Sequence, residues 1–314
     1  MKKKKVKILY ISGWGRSGST LLCSLLGRVK GFFSAGEVRY IWERGFLDNR
    51  LCECGKQFRD CEFWHHVLHD HDGDFGNLFP EEIIQTTYDY TRTYNTFAFL
   101  NRKSRKYQSK IFEEYLDLLR RLYSSISVHS DSDVIVDSSK FPVYGAVLSL
   151  IPNFEIYYVH LIRDPRAVAY SWKTQKKYID STGPDFLAKI NPFKSSTKWI
   201  SLNLSASILG RFQQERYLRI RYEDLIQDPK SSISKILSFV GEEAKELPFE
   251  EGGNVISGKN NHIFAGNPDR FKSEGIRITP DIRWIKNLKT IDKFGVTMIT
   301  FPFLLYWGYK LYDQ

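Results

Sequence analysis

Residues 13–20 (GWGRSGST) have the composition of a phosphate-binding loop. Glycines let successive backbone N–H groups turn toward one anion, and the N-terminus of a following helix adds its dipole. The spacing fits G-x4-G-x-[ST], but Ser19 stands where nucleotide-hydrolysing enzymes carry a phosphate-binding lysine. Arg16 supplies a cation three residues earlier. We therefore expect the loop to bind an anion whose reactive end is held differently from a γ-phosphate.

Further charged side chains follow two later apolar runs, at 134–136 and 154–162. Arg163, directly after the second run, can offer a forked guanidinium to a phosphate. Ser171 can add a hydroxyl about two turns into the helix predicted to follow. Asp137, after the first run, also resembles the magnesium-binding aspartate of kinases. A P-loop kinase of small molecules, with Asp137 as its metal ligand, is therefore an alternative interpretation.

Apolar runs alternate with amphipathic segments through most of the chain, which predicts an α/β fold with a mostly parallel central sheet flanked by helices. The predicted strands cover residues 6–12, 134–136, 154–162 and 218–221. The predicted helices cover residues 19–29, 164–176, 196–214 and 231–240. No linker divides the chain, so we expect one domain over residues 1–314.

The segment 45–130 contains no clear strand pattern. Residues 81–127 look helical, with a basic, polar interruption at 101–110. We interpret 45–130 as a helical insertion or lid. Its aromatic stretch at 86–99, together with Trp14, is either part of an acceptor pocket or ordinary helix packing.

Several of these motifs resemble those of the PAPS-dependent sulfotransferases, in particular the bacterial type (PAPS is 3′-phosphoadenosine 5′-phosphosulfate). Residues 16–22 (RSGSTLL) resemble the family's 5′-phosphosulfate loop, and 159–171 (VHLIRDPRAVAYS) its 3′-phosphate motif. Residues 220–229 and 262–271 (HIFAGNPDRF) are similar to its two later cofactor segments. The resemblance implies a P-loop NTPase-like fold. It also implies cofactor-binding roles for Arg16, Ser17, Gly18, Ser19, Thr20, Leu21, Arg163, Ser171, Tyr222, Asn267 and Arg270.

The same resemblance implies the catalytic residues. Lys140 falls where the family places a catalytic lysine, and Glu37 falls in a Gly-Glu element that supplies the general base in tyrosylprotein-type members. Glu37 would take the acceptor's proton, while Arg16 and Lys140 neutralise developing charge. The histidine base of cytosolic members has no counterpart after Lys140, and His160 is expected to be a strand residue. This mechanism needs no metal.

Three of the four cysteines, Cys52, Cys54 and Cys61, cluster within ten residues, and several histidines follow at 65–71. Such a set can form a structural zinc site, although its spacing misses the common C-x2-C pattern. A reduced, locally packed loop is the favoured interpretation. A disulfide is disfavoured without a secretion signal.

The composition and net charge restrict which binding partners are expected. The 314 residues are 42% hydrophobic and 15% aromatic, which argues against disorder. Five lysines within the first seven residues account for half of the +10 net charge, so we expect a nucleotide and a small-molecule acceptor rather than nucleic acid. We expect no signal peptide and a cytoplasmic location. The apolar run 295–309 is too short to span a membrane and predicts a closing helix on the core, with peripheral membrane contact as the alternative.

Overall fold

A computed structural model describes residues 5–69, 75, 79–101, 104–174, 188–243, 247, 249, 261–266, 271 and 278–311. In this part of the chain, five strands form one sheet in the order β2-β3-β1-β4-β5. Their bounds are β1 Val6–Ser12, β2 Phe32–Gly36, β3 Val134–Lys140, β4 Phe154–Ile162 and β5 Tyr217–Arg221. Each pair of neighbours is parallel, so all five carboxyl ends meet at one edge.

Helices surround the sheet. The first six are α1 Ser19–Leu26, α2 Glu62–His69, α3 Pro80–Thr91, α4 Thr96–Leu100, α5 Lys110–Ser130 and α6 Pro142–Leu148. The next four are α7 Pro165–Lys173, α8 Pro192–Gln213, α9 Tyr222–Gln227 and α10 Pro229–Val240. The last three are α11 Arg283–Asn287, α12 Thr290–Thr300 and α13 Phe303–Tyr306. A 3-10 turn at Val38–Tyr40 and a π-helical segment at Ile41–Leu47 follow β2.

The central strand β1 is buried on both faces because consecutive side chains point to opposite sides of a sheet. Ile8 and Tyr10 belong to an apolar cluster with α2, α3, α5 and α6. Leu9 and Ile11 pack on the other side against α1 and α10. This two-sided covering confirms the predicted α/β class with a parallel sheet.

The strands β1 and β4 have the bounds predicted from their apolar runs. The edge strand β2 was not predicted, because Phe32–Gly36 is short and ends in Ser-Ala-Gly, which carries little of the usual strand signal. The helix predicted at 19–29 ends at Leu26, and the chain then turns into β2. That unpredicted strand places Glu37 at the carboxyl edge of the sheet.

The described residues of 45–130 are largely helical, as expected, in α2 to α5. The interruption begins earlier than predicted, since α3 already ends at Thr91 and α5 begins at Lys110. The assignment of this segment as an insertion or lid of one domain stays a prediction.

The apolar run near the C-terminus forms two short helices, α12 and α13, rather than the single helix predicted. Val296 and Leu304 are fully buried, so the run packs on the protein, while Ile291 and Phe294 on α12 are exposed. Among the residues described, no helix combines the length and apolarity needed to cross a bilayer.

Candidate active site

The glycine-rich loop connects β1 to α1 and is held in place by its backbone. Gly13 has a φ of 141°, and a Cβ there would lie 2.3 Å from the carbonyl oxygen of Leu161 on β4. The Gly13 N–H donates to the carbonyl oxygen of Lys140 at 3.1 Å, which joins the loop to the end of β3. Gly18 precedes α1 in a left-handed conformation, with a φ of 91°. The first N–H groups of α1 therefore have no intrahelical acceptors and can bind an anion.

Two further strand ends close around this loop. Tyr222, which follows β5, packs against Gly18, where a Cβ would lie 2.5 Å from a ring carbon of the tyrosine. The guanidinium of Arg163, which follows β4, lies 4.3 Å from the centre of the Tyr222 ring. Arg163 also donates to the carbonyl oxygen of Arg16 at 3.1 Å. The loop, Arg163 and Tyr222 thus form one continuous surface.

The polar atoms of this surface suit an anionic ligand. The Ser17 hydroxyl and the Arg163 Nε are buried and have no hydrogen-bond partner within the described residues. Arg163 is paired with Asp281 at 3.2 Å. Arg283, and then Arg163, hold the pKa of Asp281 well below its ordinary value, so this carboxylate is ionised at neutral pH. Buried donors beside a cation fit a phosphate or sulfate group.

Glu37 and Lys140 meet at the carboxyl edge beside the loop. The Lys140 ammonium donates to Oε1 of Glu37. Arg44, in the π-helical segment, donates to Oε2 at 2.9 Å. Glu37 is only 5% exposed, and both of its carboxylate oxygens accept hydrogen bonds from cationic side chains, which offset the cost of burying the carboxylate. Sequence reasoning did not single out Arg44, which lies seven residues from the glutamate in an unusual helical turn.

Both predicted catalytic cations have backbones in the left-handed region. Arg16 has a φ of 71° and Lys140 a φ of 74°. A non-glycine residue there costs about 1–2 kcal/mol, and such residues concentrate at functional sites. No sequence signal marks this conformation at either position.

The segment 261–266 completes the described part of the site. A Cβ on Gly266 would lie 3.2 Å from the Thr20 hydroxyl and 3.7 Å from Oε1 of Glu37. The backbone of Gly266 therefore lies between the loop and the carboxylate. Asn267 and Arg270, the predicted cofactor residues that follow, lie outside the described residues.

The other predicted cofactor-binding residues lie in helices that follow the strands. Ser19 is buried at the first position of α1, and Leu21, two residues later, is partly buried. Ser171 is buried in α7. Its neighbour Trp172 was missed by sequence reasoning, yet its indole N–H donates to the Gly15 carbonyl oxygen at 3.2 Å.

Trp14 is a packing residue. It is 8% exposed and stacks on Trp172, with ring centres 5.1 Å apart. The stretch 86–99 packs partly against the segment after β2, where Arg39 donates to the Thr91 hydroxyl at 3.1 Å. Between the two interpretations of these residues, the structure favours packing for Trp14.

Asp137 and His160 are buried inside the fold. Asp137 accepts hydrogen bonds from Tyr123 and from the backbone N–H of Ser139, and burial raises its pKa to about 6. An aspartate enclosed in this way is unsuited to ligate magnesium. His160 lies between Tyr217 and Asn203, and burial lowers its pKa to about 4, so it is a neutral strand residue as expected.

The cysteine cluster is also assembled, with a different histidine from those predicted. His262, not a histidine of 65–71, brings its Nδ1 to 3.2 Å from Cys61 Sγ and 3.8 Å from Cys52 Sγ. Cys54 Sγ lies 3.6 Å from Cys61 Sγ, and the cysteines are unbridged. The cluster therefore joins two distant parts of the chain rather than one local loop.

Comparison with known proteins identifies the family. The model of the sulfotransferase family matches residues 9–246. This chain belongs to the sulfotransferase family. The resemblance seen in the motifs is thereby confirmed, and the kinase alternative is not supported.

Individual relatives are more distant. Human carbohydrate sulfotransferase 3 is 31% identical over 101 residues, which are 29% of this chain and 21% of that protein. The chain is thus matched to about a fifth of that relative's length. Two solved sulfotransferase domains share the fold at 20% identity. One, from the Synechococcus PCC 7002 olefin synthase, covers 100% of this chain and 98% of its own (TM-score 0.50). The other, from the curacin biosynthetic pathway, covers 98% and 99% (TM-score 0.51).

Proposed function

We propose that this protein transfers a sulfuryl group from PAPS to a hydroxyl or amine of a small-molecule acceptor. The observation that carries the proposal is the meeting of Glu37 and Lys140 beside an anion-binding loop that lacks the nucleotidase lysine. Family membership supports the same chemistry. The reaction would break the bond between sulfur and the bridging phosphate oxygen, form a bond from sulfur to the acceptor, and release 3′-phosphoadenosine 5′-phosphate (PAP).

The proposed cofactor-binding residues divide into two groups, those that contact the 5′-phosphate of PAPS and those that contact its 3′-phosphate and adenine. The backbone of residues 17–21, with the Thr20 hydroxyl, would hold the 5′-phosphate. Arg163 and Ser171 would hold the 3′-phosphate, and Tyr222 would lie beside the adenine. Asn267 and Arg270 are proposed to complete this pocket, on the strength of their motif alone.

The proposed catalytic residues are Glu37, Lys140 and Arg16. Glu37 would accept the proton of the acceptor, for which it must come within about 3 Å of the reacting atom. Lys140 and Arg16 would neutralise charge on the transferred group and on the departing phosphate oxygen. These fixed cations supply what magnesium supplies in phosphoryl transfer, so we propose a metal-independent reaction.

Calorimetric titration with PAP, and with ATP in the presence and absence of magnesium, tests the cosubstrate. We expect micromolar binding of PAP without metal and much weaker binding of ATP. Removing a guanidinium from a phosphate costs about 1.5–3 kcal/mol, so Arg163→Gln should weaken PAP binding roughly 10- to 100-fold. Arg120→Gln, an exposed arginine on α5, is the matched control and should bind normally. Magnesium-dependent ATP binding without PAP binding would refute the proposal.

A further inference from the structure

The four side chains Cys52, Cys54, Cys61 and His262 converge on one point. Their three sulfur atoms and one imidazole nitrogen all lie within 4.8 Å of one another. Cys52 and Cys61 are fully buried, and Cys54 is partly buried. Nothing in the proposed sulfuryl transfer uses these groups, so their arrangement needs a separate explanation.

The spacing between the donor atoms is that of a tetrahedral metal site. With Zn–S bonds of about 2.3 Å and Zn–N bonds of about 2.0–2.1 Å, tetrahedral geometry separates two sulfurs by about 3.8 Å and a sulfur from a nitrogen by about 3.6 Å. The distances found are 3.6 Å for Cys54–Cys61, and 3.2 and 3.8 Å from His262 Nδ1 to Cys61 and Cys52. A disulfide would need sulfur atoms about 2.05 Å apart.

The backbone around the cluster is built to hold the donors. Gly55, with a φ of 88°, turns the chain between the cysteines, and its N–H donates to the Cys52 carbonyl oxygen at 2.9 Å. The Trp64 indole donates to the carbonyl oxygen of His262 at 2.7 Å. The ring of Phe63 stacks on the imidazole, with centres 4.7 Å apart. The imidazole is thereby fixed with Nδ1 toward the sulfurs.

We propose that Cys52, Cys54, Cys61 and His262 bind one structural zinc ion. Three thiolates and an imidazole are a common donor set of structural zinc sites, and soft sulfur ligands favour zinc over magnesium or calcium. All four tetrahedral positions are filled by the protein, so no position is left for water or substrate. The zinc ion would therefore act as a structural clamp, which holds two segments of the chain together, and would take no part in catalysis.

The clamp joins the cysteine loop to the segment that lines the active site. The N–H of Glu53, between two of the cysteines, donates to the Ile263 carbonyl oxygen at 2.9 Å. Ile263 packs against Gly36, the residue before Glu37. Three residues further on, Gly266 lies against Thr20 and Glu37. The zinc ion thus fixes the position of residues 261–266, independently of which group the enzyme transfers.

The test is metal analysis of the full chain, produced in zinc-supplemented medium and purified without chelators or an affinity tag. We expect about one zinc per chain, reduced to less than about a tenth in Cys54→Ser and in His262→Ala. Cys23→Ser, a buried thiol outside the cluster, and His66→Ala, one of the histidines the sequence favoured, are the controls and should keep their zinc.

A second measurement on the wild-type chain avoids variants that fail to fold. The zinc is exchanged for Co²⁺, which gives intense visible bands and a thiolate charge-transfer band only in a tetrahedral site with sulfur ligands. Substoichiometric zinc in the folded protein, together with a weak octahedral cobalt spectrum, would overturn the proposal. Full zinc content in both cluster variants would do the same.

Discussion

At the scale of single residues, the site depends on charges that are buried in pairs. Glu37 is almost inaccessible, yet it contacts the ammonium of Lys140 and the guanidinium of Arg44. A buried carboxylate without such partners would take up a proton and lose its use as a base. The contacts with Lys140 and Arg44 favour the ionised form that a base needs, and the carbonyl oxygen of Lys140 accepts from Gly13 of the loop.

The role of Glu37 as base predicts the outcome of an isosteric change. Glu37→Gln keeps the shape and one acceptor oxygen but removes the negative charge and the proton acceptor, so turnover should fall about 10²- to 10⁴-fold. The affinity for PAP, measured by calorimetry, should stay within about twofold.

The control for this variant is Glu155→Gln, which removes an ion-paired carboxylate at the opposite end of the sheet, where Glu155 contacts Lys5 at 2.6 Å. It should retain normal turnover. If Glu37→Gln turned over as fast as the wild type, another group would have to accept the proton.

At the scale of elements, the loop is shaped by contacts that only glycine permits. Gly18 combines a positive φ with the ring of Tyr222 lying where a Cβ would be. Gly241, which ends α10, has a similar φ of 75° but nothing within 4 Å of its would-be Cβ. Comparing the two glycines therefore separates the energetic cost of a positive φ from the cost of steric overlap with a neighbouring side chain.

We expect Gly18→Ala to displace Tyr222 and weaken PAP binding at least tenfold. Gly241→Ala should cost only the strain of a left-handed alanine, about 1–2 kcal/mol in the free energy of unfolding, with PAP binding unchanged. Calorimetry and denaturant titration of both variants give the comparison. Equal losses of stability with unaltered PAP affinity in both would show that Tyr222 does not shape the site.

Sequence patterns located the elements that carry strong local signals. β1 and β4 are rich in β-branched and aromatic residues, and their bounds were predicted residue for residue. β2 was missed because an edge strand of five residues ending in small side chains has almost no pattern of its own. The glycines of the loop could be recognised from the sequence. The left-handed backbone conformations of Arg16 and Lys140 could not, because they are imposed by tertiary contacts rather than by residue type.

The cluster of Cys52, Cys54, Cys61 and His262 shows the same limit more clearly. The three cysteines are close in sequence, and the nearby histidines at 65–71 were the natural candidates for a fourth ligand. The histidine that meets them, His262, is separated from Cys61 by about 200 residues of chain and is brought there by packing beside β2. Only the three-dimensional fold joins them.

At the scale of the whole molecule, the proposed site residues lie at one edge of the sheet. Since all described strand pairs are parallel, the residues after β1, β2, β3, β4 and β5 meet there. The loop, Glu37, Lys140, Arg163 and Tyr222 each follow or end a different strand. A compact, multiply charged nucleotide can therefore touch cations from several strands at once.

β1 begins at the edge of the sheet opposite the proposed site, and we predict that the lysines that precede this strand in the sequence do not contribute to nucleotide binding. β1 has seven residues, so its start is roughly 20 Å from the loop, more than twice the Debye length of about 8 Å at physiological salt. Replacing Lys2, Lys3 and Lys4 with alanine lowers the net charge from +10 to +7. Calorimetry at about 0.15 M salt should nevertheless give a PAP affinity within about twofold of the wild type, whereas the single charge lost in Arg163→Gln weakens binding strongly. If the triple variant bound PAP tenfold more weakly, and the loss of affinity grew at lower salt, the lysines would attract the nucleotide. The net charge of the chain would then matter more for PAP binding than the position of individual cations in the site.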